Sequence, residues 1–149
     1  MDFSGCLAWW VGAALAVVQP AVPATAPGGG AAAVLHRWDA ARAAAWAGGD
    51  VAELRSLYTP GSAAGRADVR LLRRYAARGL AVDGLRTQVF HLGVLDRGRG
   101  RLVLQVVDRI AGGVAVGRAG CRPLPRDRAD RRTITFRRTD GRWLVSDVR

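Results

Sequence analysis

The sequence predicts an α+β domain in which N-terminal helices pack on an antiparallel sheet, and three observations predict it. From about residue 31 to residue 79 the apolar residues recur with the period of a helix. After Gly84 the period drops to that of a strand. Turn signals at Asp96-Arg97-Gly98-Arg99-Gly100 and at Asp140-Gly141 then separate strand-length segments as hairpins do. A chain of 149 residues is one domain, long enough to bury a core without metals or disulfides.

Each element follows from its own residues. Beginning near Ala31, residues placed at 100° steps bring Leu35, Trp38, Ala45 and Trp46 into one arc, the apolar stripe of an amphipathic helix. Arg42 falls in that arc. Either its stem packs while its head reaches water, the simpler reading, or the cation points into a pocket. Gly48-Gly49 ends this helix, and Asp50 starts a second as N-cap, with Glu53 placed for a capping box. Val51, Leu54, Leu57 and Tyr58 share its buried side. Thr59-Pro60-Gly61-Ser62 breaks the chain. Asp68 is read as the cap of a third helix, with Val69, Leu72, Tyr75 and Ala76 inward, Arg70, Arg73, Arg74 and Arg78 outward, and Gly79 as its C′ residue.

Residues 85–95 read as a strand and residues 101–110 as its hairpin partner. If Asp96 pairs with Arg101, one face collects Val89, His91 and Leu95 with Leu102, Leu104, Val106 and Asp108. The other collects Phe90, Leu92 and Val94 with Val103, Gln105 and Val107. Two largely apolar faces require cover on both sides, so the sheet packs on the helices with one face and with the other curls over a cavity or meets a second subunit. Residues 114–116 add a short strand, and 118–132 form a Pro- and Arg-rich connection. Residues 133–138 and 143–148 flank the Asp-Gly turn as a final hairpin.

Half of the residues are apolar and 23% are charged, which excludes a disordered chain, and a net charge of +11 excludes an acidic solvating one. Every basic residue is Arg, which reads as GC-rich coding rather than as a polyanion site. Most of the excess lies beyond residue 60. Such a face could meet a polyanion through its field, but no recognised nucleic-acid motif accompanies it, so nucleic acid is not an expected partner.

At the N-terminus, residues 7–18 form an unbroken apolar run of signal-peptide length, too short for a spanning helix. A Pro/Ala/Gly linker follows, ending in Gly28-Gly29-Gly30, with a small-residue cleavage pattern at Ala24. The run is preceded by Asp2 and by no Arg. The expectation is therefore an exported protein, cleaved or anchored in the membrane by residues 1–30, with the folded domain in residues 31–149. Cleavage would remove Cys6 and leave Cys121 as a buried small residue, a free thiol or an intermolecular bridge.

Two segments carry a family likeness: Trp46-Ala47-Gly48-Gly49-Asp50-Val51-Ala52-Glu53-Leu54 running on to Leu57-Tyr58, and Asp140-Gly141-Arg142-Trp143-Leu144-Val145-Ser146-Asp147-Val148. In this order and spacing the chain resembles the NTF2-like superfamily, which includes SnoaL-like domains, over about residues 33–149. The resemblance implies a cone, with a strongly curved sheet wrapped around N-terminal helices and a pocket between them. That superfamily holds isomerases, dehydratases and epoxide hydrolases alongside domains with no chemistry, so the fold does not decide the function. Its enzymes place an Asp, His or Tyr in the cone, and none of their positions is carried over here. The stretch from Pro60 to Gly65 replaces a short strand that many members have.

The one acid/base pair is His91 with Asp108, which the register above makes diagonal neighbours on one face, where Asp108 could orient His91 as a general base. A one-residue slip would put them on opposite faces, and such residues more often satisfy each other or water. Arg42, Tyr58 and Tyr75 sit where they could line a ligand pocket, although buried tyrosines are more often core residues. His36 projects away from the apolar arc. Zinc spacing, a phosphate loop and a serine elbow are all missing, so no cofactor or metal is expected. The leading expectation is a non-catalytic binding or protein-interaction module at the cell envelope, taking a small apolar ligand, a protein partner or a second copy through the sheet. The alternative is a SnoaL-like enzyme, of isomerase or hydrolase type, using His91 and Asp108 on a small hydrophobic substrate.

Overall fold

The structure, a computed structural model, describes residues 30–149. The apolar run, the cleavage pattern and Cys6 lie outside the described residues. Three helices, α1 (Ala31–Gly48), α2 (Val51–Ser56) and α3 (Ala63–Ala77), precede five strands, β1 (Ala81–Arg97), β2 (Arg101–Gly117), β3 (Gly120–Pro123), β4 (Asp130–Thr139) and β5 (Arg142–Val148).

The helices end where their chemistry requires. Gly49 closes α1 in the left-handed region (φ 64°), and the next amide, that of Asp50, donates to the Ala45 carbonyl at 2.9 Å. The Asp50 side chain accepts from the Glu53 amide and starts α2. One expectation is corrected for α3. Its cap is Ser62, which accepts from the Gly65 amide, so the helix begins well ahead of Asp68. Asp68 instead lies mid-helix and buried, and the reason is the packing described below. Leu54, Val69 and Leu72 are buried as expected and the four Arg of α3 are exposed, while Ala76 is exposed rather than inward.

All strands are antiparallel, in the order β1-β2-β4-β5, with β3 pairing the far end of β2. The strand at residues 114–116 is the continuation of β2, which pairs β4 over 101–108 and β3 over 114–117. Between those, the expected loop follows β2 through two amides, Leu124 to Gly113 and Asp127 to Ile110. Register shifts between Asp83 and Thr87, between Val89 and His91, between Val94 and Asp96, and between Thr135 and Phe136 bend the sheet into an unclosed curve. The Asp140-Gly141 turn has both residues at positive φ, as a two-residue hairpin of its type demands.

The concave face buries Leu102, Leu104, Val106, Ile134, Phe136 and Val145 against Val34, Trp46, Leu54 and Leu72. Trp38 joins the layers: its indole donates to the Leu57 carbonyl at 3.3 Å and its ring stands edge-on to Tyr58 and Phe136. The segment after α2 is fastened to β5 by backbone bonds from Val145 to Leu57 and from Thr59 to Val145, so the chain at Tyr58 runs beside the sheet without a full strand. Cys121, exposed at the start of β3, is disulfide-bonded and is therefore not a free thiol.

Candidate functional site

Helices and sheet enclose a cavity of about 670 Å³ between α1, α3 and the concave face. Its apolar wall comes from both layers, including Leu35 and Trp38 of α1, Leu71 of α3, and Leu92, Ile110 and Ile134 of the sheet. Arg42, Leu71, Ile110 and Asp127 also line an adjoining chamber of about 350 Å³.

The helix side of the cavity is organised by Asp68. Arg42 and Trp46, one helical turn apart on α1, face it together. Arg42 donates Nε and Nη2 to its two oxygens at 2.7 and 2.8 Å, and the Trp46 indole donates at 3.2 Å. From the end of α2 the Tyr58 hydroxyl donates at 2.7 Å. Four hydrogen bonds therefore converge on one buried carboxylate, and the Arg42 guanidinium also lies 5.9 Å from the Trp46 ring centre. Burial alone would lower the affinity of Arg42 for its proton, but the hydrogen bond and charge of Asp68 outweigh it and hold the pKa above its ordinary value. Burial, and then the Asp68 charge, push the Tyr58 phenol up. Arg42 does not extend its head into water; it is ion-paired, with 18% of its side chain exposed. The preference for a solvated head is corrected for that reason.

The sheet side differs. Asp108, 6% exposed, is ion-paired with Arg132 of β4, whose Nε lies 2.7 Å from its Oδ1. Burial raises the Asp108 pKa, Arg132 opposes the rise, and the charge of Asp39 adds to it. Asp39 reaches the cavity from α1 and accepts from the Thr87 hydroxyl of β1 at 2.9 Å.

Sequence reasoning and geometry part at His91. At the cavity end the register is the expected one, with Thr87 opposite Ile110 and Val89 opposite Asp108. The bulge after Val89 then inserts one residue, and His91 falls opposite Val107. The expected diagonal His91–Asp108 pair is therefore not formed: Asp108 lines the cavity, whereas His91 is exposed on the other face. Leu92, now opposite Val106, takes the inward position. Tyr58 and Arg42 line the main cavity, while Tyr75 packs edge-on to Trp46 at 5.6 Å and lines the adjoining chamber. His36, expected at the surface, is exposed but borders the cavity. Sequence reasoning missed Asp39, Asp127 and Arg132 as lining residues and missed Asp68 as the centre of a network. The signal for Asp68 was its place four residues before Leu72 and seven before Tyr75, inside the apolar arc.

No family model and no curated protein matches the chain by sequence. Solved structures do match it by shape. Aln2 from a Streptomyces species is 14% identical with a TM-score of 0.55, over 83% of this chain and 91% of that one. A Catenulispora acidiphila protein in complex with S-DNPA is 16% identical with a TM-score of 0.51, over 79% and 90%. With helices first, an unclosed curved antiparallel sheet after them, and a cavity between the two, the protein has the NTF2-like fold.

Proposed function

We propose that the protein is a non-catalytic, exported or membrane-tethered domain at the cell envelope whose cone binds a small, largely apolar ligand. The observation that carries this reading is the cavity of about 670 Å³ with apolar walls from both layers and a few convergent polar groups, the usual make-up of a small-molecule site. The structurally similar Catenulispora acidiphila protein is itself in complex with a small molecule. Support for binding over catalysis comes from the residues that chemistry would need. His91 lies away from Asp108, and the Tyr58 hydroxyl and Arg42 are committed to Asp68. The apolar run at residues 7–18 supports export.

The binding reading is tested by calorimetric titration of the full chain with rigid apolar molecules of about 10 to 20 non-hydrogen atoms, small enough for such a cavity. Binding is expected, and Ala67→Trp, which fills the cavity from an exposed position on α3, is expected to remove it. No binding across the series, or equal binding by the variant, would sink the reading. Residues 1–30 fused to a reporter active only outside the cytoplasm test export; a silent reporter removes that part.

A further inference from the structure

We propose that the cavity selects an apolar cation, a protonated amine on a compact hydrophobic skeleton. This rests on the small-molecule reading above and names the ligand class. The chain as a whole carries +11, yet four carboxylates, Asp39, Asp68, Asp108 and Asp127, line the cavity against two guanidinium groups, Arg42 and Arg132. The sign of the site is opposite to that of the protein.

The pairings decide which of these charges a ligand would meet. Asp68 and Arg42 cancel in a bidentate pair, and Asp68 is saturated by four donors. Asp108 is ion-paired with Arg132 at 2.7 Å, and it is more than nine-tenths buried and lines the cavity. A buried carboxylate served by one guanidinium keeps acceptor capacity that a ligand donor can use. Among the described residues, Asp39 accepts only from the Thr87 hydroxyl and Asp127 only from the Arg128 amide. Neither pairs with a basic side chain among the described residues. Two carboxylates are thus uncompensated, and a third has vacant acceptor sites.

An ammonium group offers three N–H donors and no acceptor, which matches vacant carboxylate oxygens on Asp39 and Asp108. These two groups are within electrostatic reach of one another, since the charge of Asp39 contributes to the raised pKa of Asp108 after burial and Arg132 are counted. A cation between them relieves that repulsion, whereas an anion adds to it. The remaining groups at the cavity do not change the sign: His36 is exposed at its edge and Tyr58 donates to Asp68. The long-range field of the exposed Arg residues opposes a cation only weakly, because salt screens it within about 8 Å.

Three probes with one skeleton test this on the full chain: 1-adamantylamine, 1-adamantanol and adamantane-1-carboxylate, titrated calorimetrically at pH 7. The amine is expected to bind about tenfold tighter than the alcohol, the ratio a charge-assisted hydrogen bond supplies, with the carboxylate weakest. Asp39→Asn, which keeps an acceptor for Thr87, should bring the amine down to the alcohol's affinity and leave the alcohol within about twofold. Asp108→Asn is the second variant, and thermal unfolding checks that each is folded. An alcohol or carboxylate that binds as tightly as the amine, or a preference that survives both substitutions, overturns the inference while leaving the binding reading standing. If none of the three binds, the binding reading fails and takes this inference with it.

Discussion

Two aspartates face the same cavity from opposite layers, equally buried and oppositely treated. Asp68, on the helix side and 8% exposed, is held by Arg42, Trp46 and Tyr58. Asp108, on the sheet side and 6% exposed, has Arg132 as its one side-chain partner among the described residues. A saturated carboxylate is a structural joint, because each donor that removes it from water also fixes an element: α1 through two side chains, the end of α2 through one, and α3 through Asp68 itself. An unsaturated one keeps acceptor capacity for something that enters. The same residue type therefore builds the cone on one side and leaves it receptive on the other.

Removing the joint should have the largest effect. In Asp68→Ala the Arg42 guanidinium, with 18% of its side chain exposed, would lose its partner, and the Trp46 and Tyr58 donors would be orphaned together. A loss of about 3 to 5 kcal/mol is expected, as for one partner removed from a buried pair. Urea unfolding measures it. A loss near that of an average substitution, about 1 kcal/mol, would mean that water replaces Asp68 and that the two aspartates differ less than their contacts imply.

A smaller effect is expected where the joint is assembled. Gly65 on α3 sits so close to Tyr58 that a Cβ there would come within 2.6 Å of the ring and 2.7 Å of the Tyr58 Cβ. The second atom cannot swing aside as a side-chain tip can, so Gly65→Ala must move α3 or Tyr58. A cost of about 1 to 3 kcal/mol is expected, typical of overpacking. Near-UV circular dichroism should report a changed environment for Tyr58 and the tryptophans. An unchanged spectrum with unchanged stability would show that the approach is looser than this.

The helix side was more legible in the sequence than its assignment suggested. Arg42 lies between Trp38 and Trp46 at helical spacing, and Asp68 shares an arc with Leu72 and Tyr75. Opposite charges inside two apolar stripes are the signature of a buried pair, hidden here by reading Asp68 as a cap. The sheet side was legible only as far as Val89. Period and turn signals set the strands, but Asp96 lies opposite Val103 and not Arg101, and only the two bulges between it and Val89 restore the expected register at the cavity end. A bulge leaves no mark in a run such as Val89-Phe90-His91-Leu92, where every residue suits either face. The helix–sheet order needed only patterns within each segment, whereas the partner of Asp108 depended on one inserted residue.

The smallest expected effect is the most informative about the receptive side. Burial raises the folded-state pKa of Asp108 above its ordinary value of 3.8, so between those two values the folded protein holds a proton that the unfolded chain has lost. The group's contribution to stability is therefore greatest at low pH and declines as pH rises from about 3.8 through the raised value, the reverse of a well-paired carboxylate. Asp108→Asn removes this titration while leaving an oxygen for Arg132, whose side chain is 33% exposed and reaches water. Its stability at neutral pH should differ from that of the native protein by about 1 kcal/mol or less. The difference should move in the variant's favour as pH rises through that window, read from urea unfolding at a series of pH values. Movement in the opposite direction would place Asp108 with Asp68, as a carboxylate stabilised by its partner, and the cavity would lose the acceptor that distinguishes its two walls.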